Sequence, residues 1–435
     1  MPRSRCVWAI CPLTVLQRQT HTTALDGIAW DKHRSDRSCF SIGLSHPCPL
    51  GCGPRSPKYR GGPTLNQRRL ARTPPERHAR GVAPPTHPPT PSAPSIKDRL
   101  DERVVGQDEA KIQLAQLIAM HLNWCHKPLD ALLPPNGLLI GPTGVGKTHT
   151  IRTACALLDL PFVVADATSL VPSGIVGEQI EDILERLVES ARQLRLSRGE
   201  PVDLDVPIDR ADLDLARTGV IFIDEFDKLA SSEAAGYEEP IRLTVQRRLL
   251  KLIEGSLLRV GVKRHGTDHP DHYINTMGIL IIGSGAFTGI DTPAIRSRRA
   301  PNMLADLVDP LEVVSTDLVQ YGFIPELIAR MPVLIQYRPL EKQDFVEILK
   351  GEFSPIRLWQ RYCAAFDMDF ADPEPAVLQL IAEQAVRLNM GARGLQQLLF
   401  QRLPAEIFEF ERSGQKTYHL TAERWRRPRR SRSQG

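Results

Sequence analysis

A glycine-rich loop between an apolar run and a helical pattern constrains this 435-residue chain more than any other feature. The run at 137–140 predicts a buried strand, and 148–158 predicts a helix. Between them stand Gly141, Pro142, Thr143, Gly144, Val145, Gly146, Lys147 and Thr148. Glycines let several backbone N–H groups point into one concavity, and the helix N-terminus adds positive potential. The pattern predicts a phosphate-binding loop in which Lys147 contacts phosphates and Thr148 ligates Mg²⁺.

Two carboxylates follow a second apolar run. Residues 219–223 predict a buried strand, and Asp224 and Glu225 come directly after it. Ligands of parallel sheets bind beyond the carboxyl ends of the strands. Asp224 is therefore predicted to hold Mg²⁺, and Glu225 to orient and deprotonate an attacking water. The alternative interpretation is a pair of acids that only caps a helix N-terminus.

Strand and helix patterns alternate through the middle of the chain, which indicates a parallel sheet with helices on both faces. The predicted strands are 137–140, 161–165, 219–223 and 278–282, and the predicted helices are 107–124, 148–158, 180–196 and 241–253. The polar stretch 197–218 reads as a surface excursion. Beyond residue 338 only helices are predicted, at 341–350, 355–366, 375–389 and 393–410. We therefore expect an α/β domain at 95–337, a small helical domain at 338–420 and a basic tail at 421–435.

Residues 1–94 differ from the rest in composition. They are basic and rich in proline, with weak hydrophobic periodicity, whereas 95–420 hold more acidic than basic residues. This composition predicts a disordered segment. A targeting segment and a misassigned start are the other interpretations left open. Five of the eight cysteines lie there, and the three in the body are far apart in sequence. That distribution favours a reducing compartment, the cytoplasm or, alternatively, the mitochondrial matrix. No run is apolar enough to span a membrane.

Several ordered motifs together resemble the ClpX-type AAA+ unfoldases, with the HslU type second. They are Val104 to Gln107, Gly141 to Thr148, Ile221 to Lys228, Leu249 to Gly255 and Gly391 to Leu395. The likeness covers residues 98–420. It implies a P-loop NTPase of the AAA+ class with a helical lid domain, which hydrolyses ATP with Mg²⁺ as a homo-hexamer and remodels protein substrates.

The resemblance also implies roles for single residues. Val105 would lie against adenine, and Ser284 would sense the γ-phosphate. Arg330 matches the family's arginine that acts on a neighbouring subunit, and Arg393 matches a second sensor that reaches from the helical domain. Each arginine would stabilise charge on the transferred phosphoryl group. A surface ion pair is the alternative role for each.

The chain departs from the family at three places. The pore loop carries Gly174, Ile175, Val176 and Gly177, so an isoleucine replaces the family's aromatic residue. The stretch 296–320 lacks the Ile-Gly-Phe tripeptide that docks a ClpP-type peptidase, which argues against that partner. The N-terminal zinc motif is altered, since Cys6, Cys11, Cys48 and Cys52 are not spaced as Cys-x-x-Cys pairs, and zinc is not expected.

Three alternatives remain open at this point. The first is a non-proteolytic factor that dismantles a specific complex without threading it. The second is a nucleic-acid motor or loader with the same ATPase core. The acidic body argues against it because nucleic-acid binders present a basic face. The third is an inactive paralogue, against which the intact Lys147, Asp224, Glu225 and Arg393 argue.

Overall fold

The computed structural model describes residues 90–126, 135–171, 177–203, 206, 208–231, 239–261, 272–290 and 312–426. All of them belong to the unit that runs from Val82 to Gly435. The predictions made for residues 1–89, for Gly174 to Val176 of the pore loop, for most of 296–320 and for the end of the basic tail lie outside these residues.

A five-stranded parallel sheet forms the centre of the α/β part. Its strands are β1 (Gly137–Ile140), β2 (Phe162–Asp166), β3 (Val220–Asp224), β6 (Leu280–Gly285) and β7 (Val333–Gln336). They lie in the order β2-β3-β6-β1-β7, and every neighbouring pair is parallel. The phosphate-loop strand β1 therefore lies at the point where the strand order reverses, which is where ligands bind in such sheets.

The two faces of the sheet carry separate apolar cores, because successive side chains of a strand point to opposite faces. In β1, Leu138 joins one core and Leu139 the other. In β3, Ile221 and Phe222 divide in the same way. The first core also contains residues of α4 (Ile180–Ser197) and α6 (Glu239–Ile253), and the second contains residues of α1 (Ala93–Asp101), α2 (Asp108–His126) and α3 (Lys147–Leu157). The predicted α/β fold with helices on both faces is confirmed.

A third apolar core holds the C-terminal helices together. These helices are α9 (Lys342–Lys350), α10 (Pro355–Ala364), α11 (Pro375–Arg387), α12 (Ala392–Arg412) and α13 (Ala422–Arg426). A two-stranded parallel pair, β8 (Asp369–Phe370) and β9 (Thr417–Tyr418), adds to this region. Four of the five helices, α9, α10, α11 and α12, begin and end within two residues of the predicted bounds. The division of the chain at residue 338 stays a prediction.

The stretch 197–218 is not simply the surface excursion that its polar composition suggested. It contains α5 (Arg210–Ala216), whose Asp212 is fully buried. Arg195 donates to Asp212 Oδ1 at 2.5 Å, and Arg192 donates to Asp212 Oδ2 at 3.2 Å. The buried charge of α5 is thus paired with two arginines of α4, which lets this acidic helix lie against the core.

Several further elements were not predicted. They include α1, α13 and the pair of β8 and β9, the antiparallel hairpin of β4 (Leu257–Val260) and β5 (His272–Asn275), and the short α7 (Ser315–Tyr321) and α8 (Pro325–Ala329). The edge strand β7 was also missed, because four residues directly after Pro332 give too short a pattern to separate from a loop.

Candidate functional site

A cavity of about 240 Å³ opens at the carboxyl ends of β1 and β3. Among its lining residues are Lys147, Thr148, Asp224, Glu225 and Arg393, which the sequence analysis placed in one site. Thr143, Gly144 and Gly146 of the loop line it as well. The strand-loop-helix arrangement expected of a phosphate-binding loop is therefore present, with α3 beginning at Lys147.

The backbone of the loop adopts the conformations that its glycines permit. Gly144 has φ +81° and Gly146 has φ +103°, both in the left-handed region that favours glycine. Gly146 occupies the cap position of α3. The turn therefore delivers the first N–H groups of α3 to the cavity, where they and the helix dipole favour an anion.

Lys147 is 8% exposed and lies across the loop. Its Nζ donates to the carbonyl oxygens of Gly141 at 2.6 Å and Pro142 at 2.9 Å. Burial lowers the pKa of Lys147, and the neighbouring charge of Arg393 lowers it further, against the opposing effect of Asp224 and Asp227. A buried ammonium beside a second cation is the environment that an anionic ligand stabilises.

Thr148 and Asp224 meet directly. The Thr148 hydroxyl donates to Asp224 Oδ2 at 3.1 Å, although the residues are 76 positions apart in sequence. A hydroxyl and a carboxylate are the oxygen ligands that Mg²⁺ accepts from protein when phosphates complete its shell. The donor set therefore fits a magnesium nucleotide. No cluster of three or more metal-binding His, Cys, Asp or Glu side chains exists in the described part of the chain.

Glu225 stands at the start of the turn after β3. Its φ of 53° and ψ of 32° lie in the left-handed region, which non-glycine residues seldom adopt. Its backbone N–H donates to Asp224 Oδ1 at 3.0 Å. Strained backbone of this kind concentrates at functional sites. Here it turns the Glu225 side chain into the cavity beside Asp224.

The lid helix α12 meets the phosphate loop through two glycines. Ala392 N donates to Gly144 O at 2.8 Å. A Cβ added at Gly391 would lie 2.5 Å from Gly144 Cα, closer than real contacts allow. Only glycine permits this approach. It brings Arg393, the second residue of α12, to the cavity wall.

Six residues predicted for the nucleotide site do not line the cavity in the described structure: Gly141, Pro142 and Val145 of the loop, and Val105, Ser284 and Arg330 elsewhere in the chain. Ser284 is fully buried in β6, its Oγ has no hydrogen-bond partner, and the lining residues are instead the next two, Gly285 and Ala286. Val105 is half-buried in the turn before α2. That turn reaches the loop through Gln107, whose Nε2 donates to Val145 O at 3.4 Å.

Arg330 lies outside the cavity. It directly follows α8 and precedes β7, so it belongs to the amino end of the sheet, opposite to the phosphate loop. Its side chain is 48% exposed and pairs with Glu254 at 3.2 Å. An arginine in this position is available to another molecule rather than to the cavity of its own chain.

Asp227 and Lys228 are lining residues that the sequence analysis missed. They lie in the short 3₁₀ helix Phe226–Leu229, and Lys228 donates to Asp227 Oδ2 at 3.1 Å. Their position within one turn of Glu225 was the available signal. The turn begins at Glu225 in the left-handed conformation. The directions of the side chains that follow therefore cannot be predicted from their spacing in the sequence.

Comparison with known proteins decides the family. Residues 135–334 match the family described as AAA domain (Cdc48 subfamily). The "ATP-dependent Clp protease ATP-binding subunit ClpX" of Treponema denticola is 33% identical over 345 residues, covering 74% of this chain and 77% of that protein. The proteins of the same name from Bacteroides fragilis and Borrelia duttonii are 33% and 34% identical, and each alignment covers 75% of this chain. The chain belongs to the ClpX family of AAA+ ATPases. Among the described helices, none is both long and apolar enough to cross a membrane.

Proposed function

We propose that this ClpX-family protein hydrolyses ATP in a homo-hexameric ring and uses the energy to unfold or disassemble other proteins. The observation that supports the proposal most strongly is the shared cavity of Lys147, Thr148, Asp224 and Glu225, closed on one side by Arg393 of the lid. The relatives are named as ATP-binding subunits of a protease. A ClpX-type role for this chain follows from that likeness.

The phosphate loop and the residues at the end of β3 have different roles in nucleotide hydrolysis. The N–H groups before α3 and the Lys147 ammonium bind the phosphates. Thr148 and Asp224 hold Mg²⁺, which neutralises phosphate charge when bound. Glu225 orients the attacking water and accepts its proton, because its side chain lines the cavity beside the proposed metal ligands. Val105 contacts the base from the turn before α2.

The arginines complete the charge stabilisation. Arg393 reaches the phosphates of its own subunit from the lid. Arg330 reaches those of a neighbouring subunit, since it is exposed on the far side of its own sheet. One chain then cannot complete its own site. A ring follows, because a head-to-tail contact that closes gives each site its missing arginine.

Movement of the lid carries the mechanical step. The contact between Gly144 and Gly391 makes the position of α12 sensitive to what the phosphate loop holds. Changes there would rotate the lid and pull on the pore loop, of which Gly177 is described. Ile175 would grip a substrate by apolar contact, without the flat ring of an aromatic side chain. Ser284 acts through its neighbours Gly285 and Ala286, which line the cavity.

The partner peptidase is the point at which this chain departs from the pattern of the family that its motifs resemble. No Ile-Gly-Phe tripeptide occurs at 296–320. We propose that the chain works without a ClpP-type peptidase. Its compartment is proposed as the cytoplasm, or else the mitochondrial matrix, from the cysteine distribution.

Unfolding of a tagged, folded fluorescent protein tests the proposal. The full chain with ATP and Mg²⁺ is expected to abolish the fluorescence, while Glu225→Gln with ATP is not. A ClpP-type peptidase added in a parallel reaction is expected to leave the product uncleaved. Loss of fluorescence in the absence of ATP would contradict an unfoldase. So would retained fluorescence in the presence of ATP, if several substrate tags are tried and ATP is hydrolysed. ATPase stimulation by DNA would instead favour the nucleic-acid motor.

A further inference from the structure

One amide side chain ties three backbone segments together at the amino end of the sheet. Asn136, directly before β1, is 7% exposed. Its Oδ1 accepts from the backbone N–H of Ile281 at 2.9 Å, and its Nδ2 donates to the carbonyl oxygen of Arg330 at 3.4 Å. Its own carbonyl accepts from Val333 N at 3.4 Å. The amide oxygen is thus engaged with β6, and the amide nitrogen with the residue that directly follows α8.

The segments joined by Asn136 lead to the nucleotide cavity. β1 runs from Gly137 to Ile140 and is followed by Gly141, whose carbonyl accepts from Lys147. β6 contains Ile281 and ends at Gly285, which lines the cavity. A four-residue strand spans about 13 Å. Strands paired by backbone hydrogen bonds are stiff, so a shift of the loop at one end is felt at Asn136.

Arg330 is the third segment. Asn136 holds its backbone, and Glu254 pairs with its guanidinium at 3.2 Å. The Arg330–Glu254 pair is half-exposed, and such pairs contribute little and exchange readily. The bond from Asn136 is longer, at 3.4 Å, but it is made by a buried amide that the bond to Ile281 N holds in place. It fixes the position of the Arg330 backbone, whereas the guanidinium can leave Glu254 and bind another anion.

We infer that Asn136 is a positioning residue that couples the nucleotide cavity of one subunit to the arginine that the subunit presents to its neighbour. The inference rests on the proposed action of Arg330 on the adjacent subunit. It assigns Asn136 a role in the neighbour's turnover rather than in its own. An aspartate of the same shape keeps the acceptor for Ile281 but loses the donor to Arg330, so it separates the two bonds.

Mixed rings test the inference, because they separate an effect on the neighbour from an effect on the same chain. Wild-type subunits are mixed with Glu225→Gln subunits, which do not hydrolyse, and with Glu225→Gln subunits that also carry Asn136→Ala or Asn136→Asp. The ATPase rate per wild-type subunit is measured at pH 8, with ring mass followed by light scattering. A third set carries Glu225→Gln with Arg330→Ala and sets the lower limit.

We expect the Asn136 variants to lower the rate of adjacent wild-type sites by about 3–10-fold, the effect of losing one hydrogen bond. Their own nucleotide affinity is expected to be unchanged. The inference about Asn136 is overturned, and the proposed function left standing, if Arg330→Ala subunits slow their wild-type neighbours but Asn136→Ala subunits do not. If Arg330→Ala itself has no effect on neighbours, the proposed function is what fails. Asn136→Asp keeps the test valid if Asn136→Ala does not assemble, since it preserves the bond to β6.

Discussion

The hydroxyl of Thr148 donates to the carboxylate of Asp224 at 3.1 Å, joining the first turn of α3 to the end of β3. This contact places the two proposed magnesium ligands in one cavity with Lys147 and Glu225. If the residues lay on different sides of the molecule, neither nucleotide binding nor hydrolysis could follow from the sequence motifs. The predictions below depend on this arrangement.

Glu225→Gln is expected to bind ATP and to lose at least ~100-fold in turnover, because the amide cannot accept the proton of the attacking water. Binding of a fluorescent ATP analogue and release of phosphate measure the two effects. Turnover close to that of the wild type would remove Glu225 from its role.

Lys147→Ala provides the contrasting phenotype. It removes the buried cation that contacts the phosphates, so nucleotide binding itself should be lost, in the same titration. Lys251→Ala is the matched control, since Lys251 is exposed on α6 and does not line the cavity. Equal affinity of both variants for nucleotide would contradict the assignment of Lys147.

Gly391→Ala is expected to push the lid away from the phosphate loop. The new Cβ would lie 2.5 Å from Gly144 Cα, and Arg393 would move with α12. Misplacement of a catalytic group by about 1 Å can lower turnover by up to ~100-fold, so we expect kcat to fall at least tenfold. Gly351→Ala is the control, because its added Cβ would meet nothing closer than 3.4 Å. Similar rates for both variants would show that the close approach has no role.

His121 predicts a pH dependence of stability. It is fully buried, and its Nε2 bonds to Thr218 O at 2.9 Å. Burial lowers its pKa to about 4. The unfolded chain, with a pKa near 6.5, binds the proton more readily, so stability is lost as the pH falls from about 6.5 to 4. The loss is about 3 kcal/mol at most. Urea denaturation between pH 4.5 and 7.5 should show a shallower slope for His121→Gln.

A slope for His121→Gln that matched the wild type would assign the acid sensitivity to other groups. Asp101 and Asp344 are the other candidates, since cationic partners lower the pKa of both carboxyl groups against the opposing effect of burial. Such carboxylates lose their contribution at lower pH than the histidine does, as the pH falls through their own depressed pKa. The window of the slope therefore distinguishes the two sources.

Asp212→Ala is expected to destabilise the fold by about 3–5 kcal/mol, because Arg192 and Arg195 would lose a buried counter-charge. Asp214→Ala is the control on the same helix. Its ion pairs with Arg210 and Arg217 are exposed and contribute about 1 kcal/mol or less. Urea unfolding followed by circular dichroism measures the difference. Equal losses would show that the pairing of α5 with α4 adds nothing.

The sequence predicted the sheet because its central strands are short, fully apolar and followed by glycine or acids. β1 lies at the predicted 137–140, and β3 (Val220–Asp224) is shifted by one residue from the predicted 219–223. It did not predict α5, because a buried Asp212 reads as solvent-exposed until its arginine partners are known. Long-range pairing of charges is a property of the fold and has no local pattern.

The same distinction between local patterns and long-range packing applies to the candidate site. Spacing within one loop predicted Lys147 and Thr148, and the end of one strand predicted Asp224. The close approach of Gly391 to Gly144 depends on how the lid packs, and no local pattern encodes it. For Arg330 the sequence offered a family resemblance, and the structure places it outside the cavity of its own chain.

Complementation between two inactive variants tests most directly whether ATP is cleaved between adjacent subunits. Arg330→Ala subunits keep the phosphate loop and Glu225 but offer no arginine, whereas Glu225→Gln subunits offer Arg330 but cannot hydrolyse. Mixed rings of the two should regain ATPase activity well above either variant alone, because Arg330→Ala sites then receive the arginine of a Glu225→Gln neighbour. A mixture no more active than the sum of its parts, in rings shown to exchange subunits, would contradict the account.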